Sequence, residues 1–212
     1  FYLDIIKDRQ YTTQEDSLPR RSAQTALYRI VDAMARWMAP ILSFTAEEIW
    51  ENLPGEREES VFLAGWGAPL LQLGSRDELD AAFWEELIAV RGAVNRELES
   101  LRSAGELRGS LDATVTLYCK PELLEQLVRL GDELRFVLIT SGADARPIGE
   151  APAGASATEI DGLRIVAAAA TAQKCERCWH RRDDVGSHPE HPTLCARCVV
   201  NVAGPGEERR FA

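Results

Sequence analysis

Lys174-Cys-Glu-Arg-Cys178 and, sixteen residues further on, Cys195-Ala-Arg-Cys198 decide how the end of this chain folds. Two C-x2-C knuckles separated by 15–20 residues form a zinc signature, because each knuckle aims two thiolates at one locus. Four sulfurs complete a tetrahedron and leave no position for water, so the expected ion is one structural zinc held by Cys175, Cys178, Cys195 and Cys198. The segment 171–212 has few large apolar side chains. It cannot bury a sufficient core by itself, and the metal supplies the missing folding free energy. Two disulfides are the competing reading, and a cytosolic setting disfavours them. His180, His188 and His191 lie between the knuckles and could replace a cysteine as ligand, a reading that two complete knuckles disfavour. Cys119 stands alone on an expected strand, as a small buried apolar residue.

Around the first knuckle, Lys174, Arg177, Trp179, His180, Arg181 and Arg182 cluster within nine positions. Cations there can meet phosphates while the indole stacks on an unpaired base. The plainer reading packs Trp179 against the knuckle and leaves the arginines solvated. Asp183 and Asp184 follow at once and weaken the patch. The whole chain carries a net charge of −10. Residues 171–212 hold seven Lys/Arg against six Asp/Glu, so the first 170 carry −11. Such a body does not coat nucleic acid through a general positive field, and any contact must be local.

Upstream, helical spacing dominates. Leu27, Ile30, Val31, Met34, Met38 and Ile41 read as one buried stripe, ended or bent at Pro40. Thr45 with Glu48 reads as a capping box for the next helix, Phe44 and Ile49 as its hydrophobic staple, and Pro54-Gly55 as its stop. Residues 56–75 read as loop. Leu79, Phe83, Leu87, Val90, Val94, Leu98 and Leu101 form a near-heptad seam on a long helix from about Asp77 to Ser103, expected to pack antiparallel to the earlier helices. The period then changes. Ala113–Cys119 alternates as a strand, Pro121–Leu130 reads as helix, and Phe136–Thr140 as a short strand. Gly149–Ala157 reads as a loose loop, and Asp161-Gly162 turns a hairpin between 158–160 and 163–167. The expected fold is mainly α: a helical bundle over 1–75, a long helix with a small α+β unit over 76–170, and the finger over 171–212. No apolar run reaches membrane-spanning length and no signal-peptide pattern is present, so a cytoplasmic protein is expected. The first residues, Phe1-Tyr-Leu-Asp-Ile-Ile-Lys, read as the middle of a helix and hence as a cut point in a longer chain.

Several of these stretches resemble one family. Lys174-Cys-Glu-Arg-Cys-Trp-His, Asp184-Val-Gly, Leu194-Cys-Ala-Arg-Cys-Val and Gly206-Glu-Glu-Arg look like the C-terminal zinc finger of bacterial isoleucyl-tRNA synthetases. Phe1-Tyr-Leu-Asp-Ile-Ile-Lys-Asp-Arg-Gln-Tyr and Met38-Ala-Pro-Ile-Leu-Ser-Phe-Thr-Ala-Glu-Glu-Ile-Trp50 resemble their anticodon-binding helical domain. Gly109-Ser-Leu-Asp-Ala113 resembles the segment between the two. The resemblance implies a tRNA partner, the tRNA for isoleucine, met at the anticodon stem-loop. It implies monomeric behaviour and the four cysteines as zinc ligands. It places ATP use, catalysis and editing in N-terminal domains outside this chain. Neither His-Ile-Gly-His nor Lys-Met-Ser-Lys-Ser occurs here, so the stretch alone is expected to be non-catalytic. Two other readings stay open: a DNA-repair glycosylase C-terminus with a similar finger, and a non-enzymatic interaction module.

Overall fold

The computed structural model describes residues 1–67, 70–71 and 78–212. The boundary expected at residues 75 and 76, and the expected helix start at Asp77, lie outside the described residues. Three helices open the chain: α1 (Tyr2–Thr12), α2 (Leu18–Met38) and α3 (Ser43–Asn52). The long helix α4 (Ala81–Ser103) follows, capped by the Asp80 carboxylate accepting from the Phe83 amide at 2.9 Å. A sheet unit comes next: β1 (Ala113–Cys119), α5 (Pro121–Val128), α6 (Leu134–Leu138), β2 (Gly142–Pro147), β3 (Ser156–Ala157) and β4 (Leu163–Ala169). Helix α7 (Ala196–Ala203) starts inside the second knuckle.

The strand order is β2-β1-β4-β3. Strand β1 runs parallel to β2 and antiparallel to β4, with Leu117 opposite Ala145 on one side and Ile165 on the other. The fold is therefore α+β, not mainly α: the described residues hold seven helices and a four-stranded mixed sheet. The sheet matters because its buried face organises the largest core. Val115 and Leu117 of β1 and Leu163 and Ile165 of β4 pack with the α4 seam and with Leu123, Leu127, Leu134 and Val137. The expected seam is buried from Leu79 to Leu98 and half-buried at Leu101, but the sheet, rather than the earlier helices, is a main partner of α4. An alternating strand with one apolar face needs a cover, and α4 supplies it.

Helix α2 departs further from expectation. Ala23, Ala33 and Ala35 are its buried apolar residues, beside Pro19, whereas Met34, Trp37 and Ile41 are exposed. The rest of the expected stripe, Leu27, Ile30, Val31 and Met38, is only half-buried, and Ala35 and Ala39 make the close contact in a separate cluster with Ala46, Trp50 and Val61. Thr45 does not cap α3. The chain leaving α2 is already coiled, with the Leu42 amide donating to the Met38 carbonyl at 2.7 Å and Ala46 to Leu42 at 2.8 Å. Helix α3 accordingly starts at Ser43, three residues earlier than the capping box requires, and Phe44 is 93% exposed, so no staple forms.

Phe136–Thr140 is not a strand. Leu134–Leu138 are helical and all buried, and Ile139 ends the helix in the left-handed region at φ 57°. A short run buried on every side carries no periodicity that separates strand from helix. The expected hairpin is shifted too: β3 pairs Ser156 and Ala157 with Ile165 and Arg164, residues 158–162 form its connection, and Gly162 takes φ 77°. The stretch 149–157 thus contributes a strand to the sheet edge. Among the described residues, no helix is long and apolar enough to cross a membrane.

Candidate functional site

The knuckles converge. The sulfurs of Cys175, Cys178, Cys195 and Cys198 all lie within 4.8 Å of one another, and all four residues are buried. Cys178 Sγ and Cys195 Sγ are 3.7 Å apart. A tetrahedron with Zn–S bonds of about 2.3 Å has edges of about 3.8 Å, so the spacing suits one zinc ion. Backbone groups orient the donors: the Cys195 amide points at Cys175 Sγ at 3.4 Å, and the Trp179 amide donates to the Cys175 carbonyl at 2.9 Å. The crowded sulfurs cannot all carry charge without a cation among them. In the hydrogen bond these two share, the proton stays on Cys178, whose pKa is driven far above its ordinary value, while that of the accepting Cys195 is driven far below. The residues fit a structural zinc, which would bind all four sulfurs and leave no open coordination position. His188 and His191 lie apart from this group, their rings 5.5 Å from each other.

The knuckle closes as a hairpin. The Cys175 amide donates to the His180 carbonyl at 2.9 Å, and Lys174 bridges Arg181. Closing so tight a turn forces Trp179 into the left-handed region at φ 64°, which few bulky residues adopt. Its indole stands 61% exposed, with Lys174 Nζ 5.8 Å from the ring centroid.

The other expected nucleic-acid residues divide. His180 is only 3% exposed and packs edge-on against Phe136. Burial, with repulsion from Arg135, pushes its pKa down to about 4 against an opposing pull from Asp8. It is a neutral part of the interior. Arg181 Nε donates to Asp112 at 2.8 Å, while its amide donates to Ser141 Oγ at 2.6 Å. Arg182 sits 3.9 Å from Asp132, and Arg177 donates to the Thr12 carbonyl of α1. These arginines attach the knuckle to the body, and Lys174 and Trp179 are left presented to solvent.

A buried charge network joins the finger to α1, and the spacing of the cysteines gives no hint of it. Asp8 accepts from Arg197 at 2.7 and 2.8 Å in a bidentate pair, and from Arg209 at 2.9 Å. Glu207 lies 3.4 Å from Arg197 and 3.5 Å from Arg209. Burial alone would raise the Asp8 pKa, but the hydrogen bonds and charge of Arg197, with Arg209 adding, hold it well below the usual carboxylate range. The Arg209 and Arg197 guanidiniums also lie over the Phe136 ring, at 3.3 and 5.0 Å from its centroid. Beyond them the tail is pinned by Glu133, whose carboxylate accepts from the amides of Arg210, Phe211 and Ala212 at 2.7 Å each. Arg197, sitting between two zinc cysteines, is the one member whose position could have drawn attention.

The chain therefore presents a closed four-sulfur centre bolted to a helical segment, with an indole held outward beside a lysine. Its residues 1–117 match the anticodon-binding domain of tRNA ligase, and residues 172–200 match the zinc finger found in FPG and IleRS. The chain belongs to the tRNA ligase anticodon-binding family. Among curated relatives, it is 58% identical over its whole length to the isoleucine–tRNA ligase of Methylococcus capsulatus. It is 57% identical to that of Pseudomonas putida and 56% to that of Azotobacter vinelandii, again over the whole chain. It spans 22% of the length of each of these relatives.

Proposed function

We propose that this chain is the anticodon-stem-loop-reading part of an isoleucine–tRNA ligase, which joins isoleucine to its tRNA using ATP. Amino-acid activation and ATP binding belong, in this reading, to the remainder of such a ligase, and the chain contributes RNA recognition. Similarity to isoleucine–tRNA ligases along the whole chain supports it. The finger family alone would suit a repair glycosylase equally, but the match over residues 1–117 favours RNA. The ligase would work as a cytoplasmic monomer with three functional parts here, over 1–75, 76–170 and 171–212.

The observation that carries the reading is the left-handed, exposed Trp179 beside Lys174. Holding a large ring outward in a strained backbone makes sense where the ring stacks on an unpaired base and the cation meets a phosphate. An acidic body suits this, because affinity then rests on a shaped surface and a few cations. Arg177, Arg181 and Arg182 contribute by positioning the knuckle, with His180 as its inward wedge. Zinc held by Cys175, Cys178, Cys195 and Cys198 keeps the indole in place. Filter binding of tRNA and of duplex DNA to the intact ligase provides the test. Trp179→Ala should raise the Kd for tRNA by about tenfold, given roughly 1–3 kcal/mol per stacked base. Equal affinity for duplex DNA, or tRNA binding and charging unaltered by replacing Cys175 and Cys178 with Ser, would overturn the reading.

A further inference from the structure

A polar cleft of about 440 Å³ opens where the finger meets the end of the sheet. The sheet contributes Thr114 at the start of β1 and Gly142 at the start of β2, which pair with each other because the two strands enter side by side. The finger contributes Arg181, Arg182, Asp183 and Asp184. Hydrogen bonds fix one side to the other: the Arg181 amide donates to Ser141 Oγ at 2.6 Å, and Arg181 Nε to Asp112 at 2.8 Å. Arg181 is fully engaged in this way, with Nη1 also on the Ala172 carbonyl at 3.3 Å. Arg182 is not. Its guanidinium makes no hydrogen bond among the described residues, and Asp132, 3.9 Å away, already accepts from Arg135 at 2.9 Å. Asp184 is the converse case. One of its carboxylate oxygens is enclosed and has no donor among the described residues. A carboxylate so poorly solvated gains more from a hydroxyl placed in the cleft than it would in bulk water.

The cleft therefore offers a cation short of an acceptor beside an anion short of a donor. A bare phosphate suits Arg182 but is repelled by Asp183 and Asp184, and an amine suits the carboxylates but is repelled by the arginines. A ligand that carries an anion and a neutral hydroxyl together satisfies both. We propose that the cleft holds one ribose-phosphate unit of the RNA backbone, its phosphate on Arg182 and its 2′-hydroxyl donating to Asp184. The inference rests on the RNA-binding reading of the chain and extends it from a stacked base to the sugar. Arg182 follows Trp179 by three residues, at most about 11 Å of chain, so a strand with one base on the indole passes close to this cleft. The volume lies low in the range of ligand pockets, about 300 to 1,000 Å³, which suits one nucleotide unit rather than a run of them. Stacking accepts every base of RNA or DNA, whereas the 2′-hydroxyl separates the two. Arg182 and Asp184 thus add a preference for ribose that Trp179 cannot provide.

The test uses the intact ligase and a set of cognate tRNAs, each with one 2′-deoxy nucleotide or one uncharged methylphosphonate in the anticodon stem-loop. Against the unaltered protein, one 2′-deoxy position should weaken binding about tenfold, as for a lost hydrogen bond to a charged group. In Asp184→Ala that position should cost less than about twofold, while every other position keeps its cost. In Arg182→Ala the neutralised phosphate beside it should likewise lose its cost, and the slope of log affinity against log salt should become shallower by about one. Arg182→Lys should restore the slope. Neither side chain has a hydrogen bond to lose on substitution, and bound zinc, measured alongside, should remain at one per chain. Deoxy costs unchanged in Asp184→Ala, or a salt slope unchanged in Arg182→Ala, would overturn the site while leaving the Trp179 reading intact. Tighter binding of every tRNA by Asp184→Ala would overturn it too, because the carboxylate would then only repel RNA. Indifference of tRNA binding to Trp179→Ala as well would instead overturn the RNA reading beneath it.

Discussion

Asp8→Asn keeps the shape of the side chain and removes its charge, and it does so where water cannot substitute. Three short hydrogen bonds from two arginines end on this carboxylate, and the Arg209 and Arg197 side chains are only 2% and 13% exposed. An asparagine oxygen can still accept one of those bonds, but its amide group then faces guanidinium donors. Breaking a buried charge pair from one side costs about 3–5 kcal/mol, and the retained bond places this variant near the lower end, at about 3 kcal/mol. For a chain of this size that is a fall in Tm of roughly 6–12 °C. Calorimetric melting at pH 7 with saturating zinc measures it. The pH dependence adds an independent check. Asp8 has a folded-state pKa lowered beneath its unfolded value near about 3.9, so its stabilisation is fully present above that value and is lost as pH falls through the folded pKa. The gap between wild type and variant should hold from about pH 8 to pH 5 and narrow below about pH 4. A shift under about 2 °C, or a gap that does not narrow in acid, would mean that the network contributes little and the finger is held by other contacts.

Three further outcomes follow from the packing. Leu87→Ala in the α4 seam, with its side chain fully enclosed, should cost about 2–5 kcal/mol in denaturant unfolding. Phe44→Ala should change stability by less than about 0.5 kcal/mol, because the ring touches solvent and no staple exists; a loss above 1 kcal/mol would contradict the observed start of α3. Chelation should release one zinc per chain, read by a colorimetric indicator, and should speed amide exchange in α7 and in α1 together. Exchange confined to the knuckles would show that the metal does not reach the helix.

Local signals were legible where the chemistry is local. The cysteine spacing, the alternation of Ala113–Cys119 and the proline opening α5 each needed only a few neighbouring residues. The α4 seam was equally clear, but its partner was not, because a heptad pattern tells which face is buried and not what buries it. The same gap applies to α2, where Met34 and Trp37 are exposed, Leu27, Ile30, Val31 and Met38 are half-buried, and alanines are enclosed instead. Phe136–Thr140 failed for a different reason: five residues enclosed on all sides have no polar face from which a period could be read. His180 stands among the cations in sequence, but the fold leaves the neighbouring Trp179 ring exposed and encloses that of His180. Asp8 and Arg197 are 189 positions apart, and nothing near either residue announces the other.

That long-range bond has a bearing on how the molecule opens. Cooperative units usually follow runs of chain, but here α1, the finger and the tail beyond α7 share one buried electrostatic joint. They should come apart in a single step, although the segments lie at opposite ends of the sequence. Helices α2 and α3, resting on their own small cluster of Ala35, Ala39, Ala46, Trp50 and Val61, can loosen without breaking that joint. The order of exposure under mild denaturant would then run from the middle of the helical region outward, with the residues farthest apart in sequence surrendering together and last.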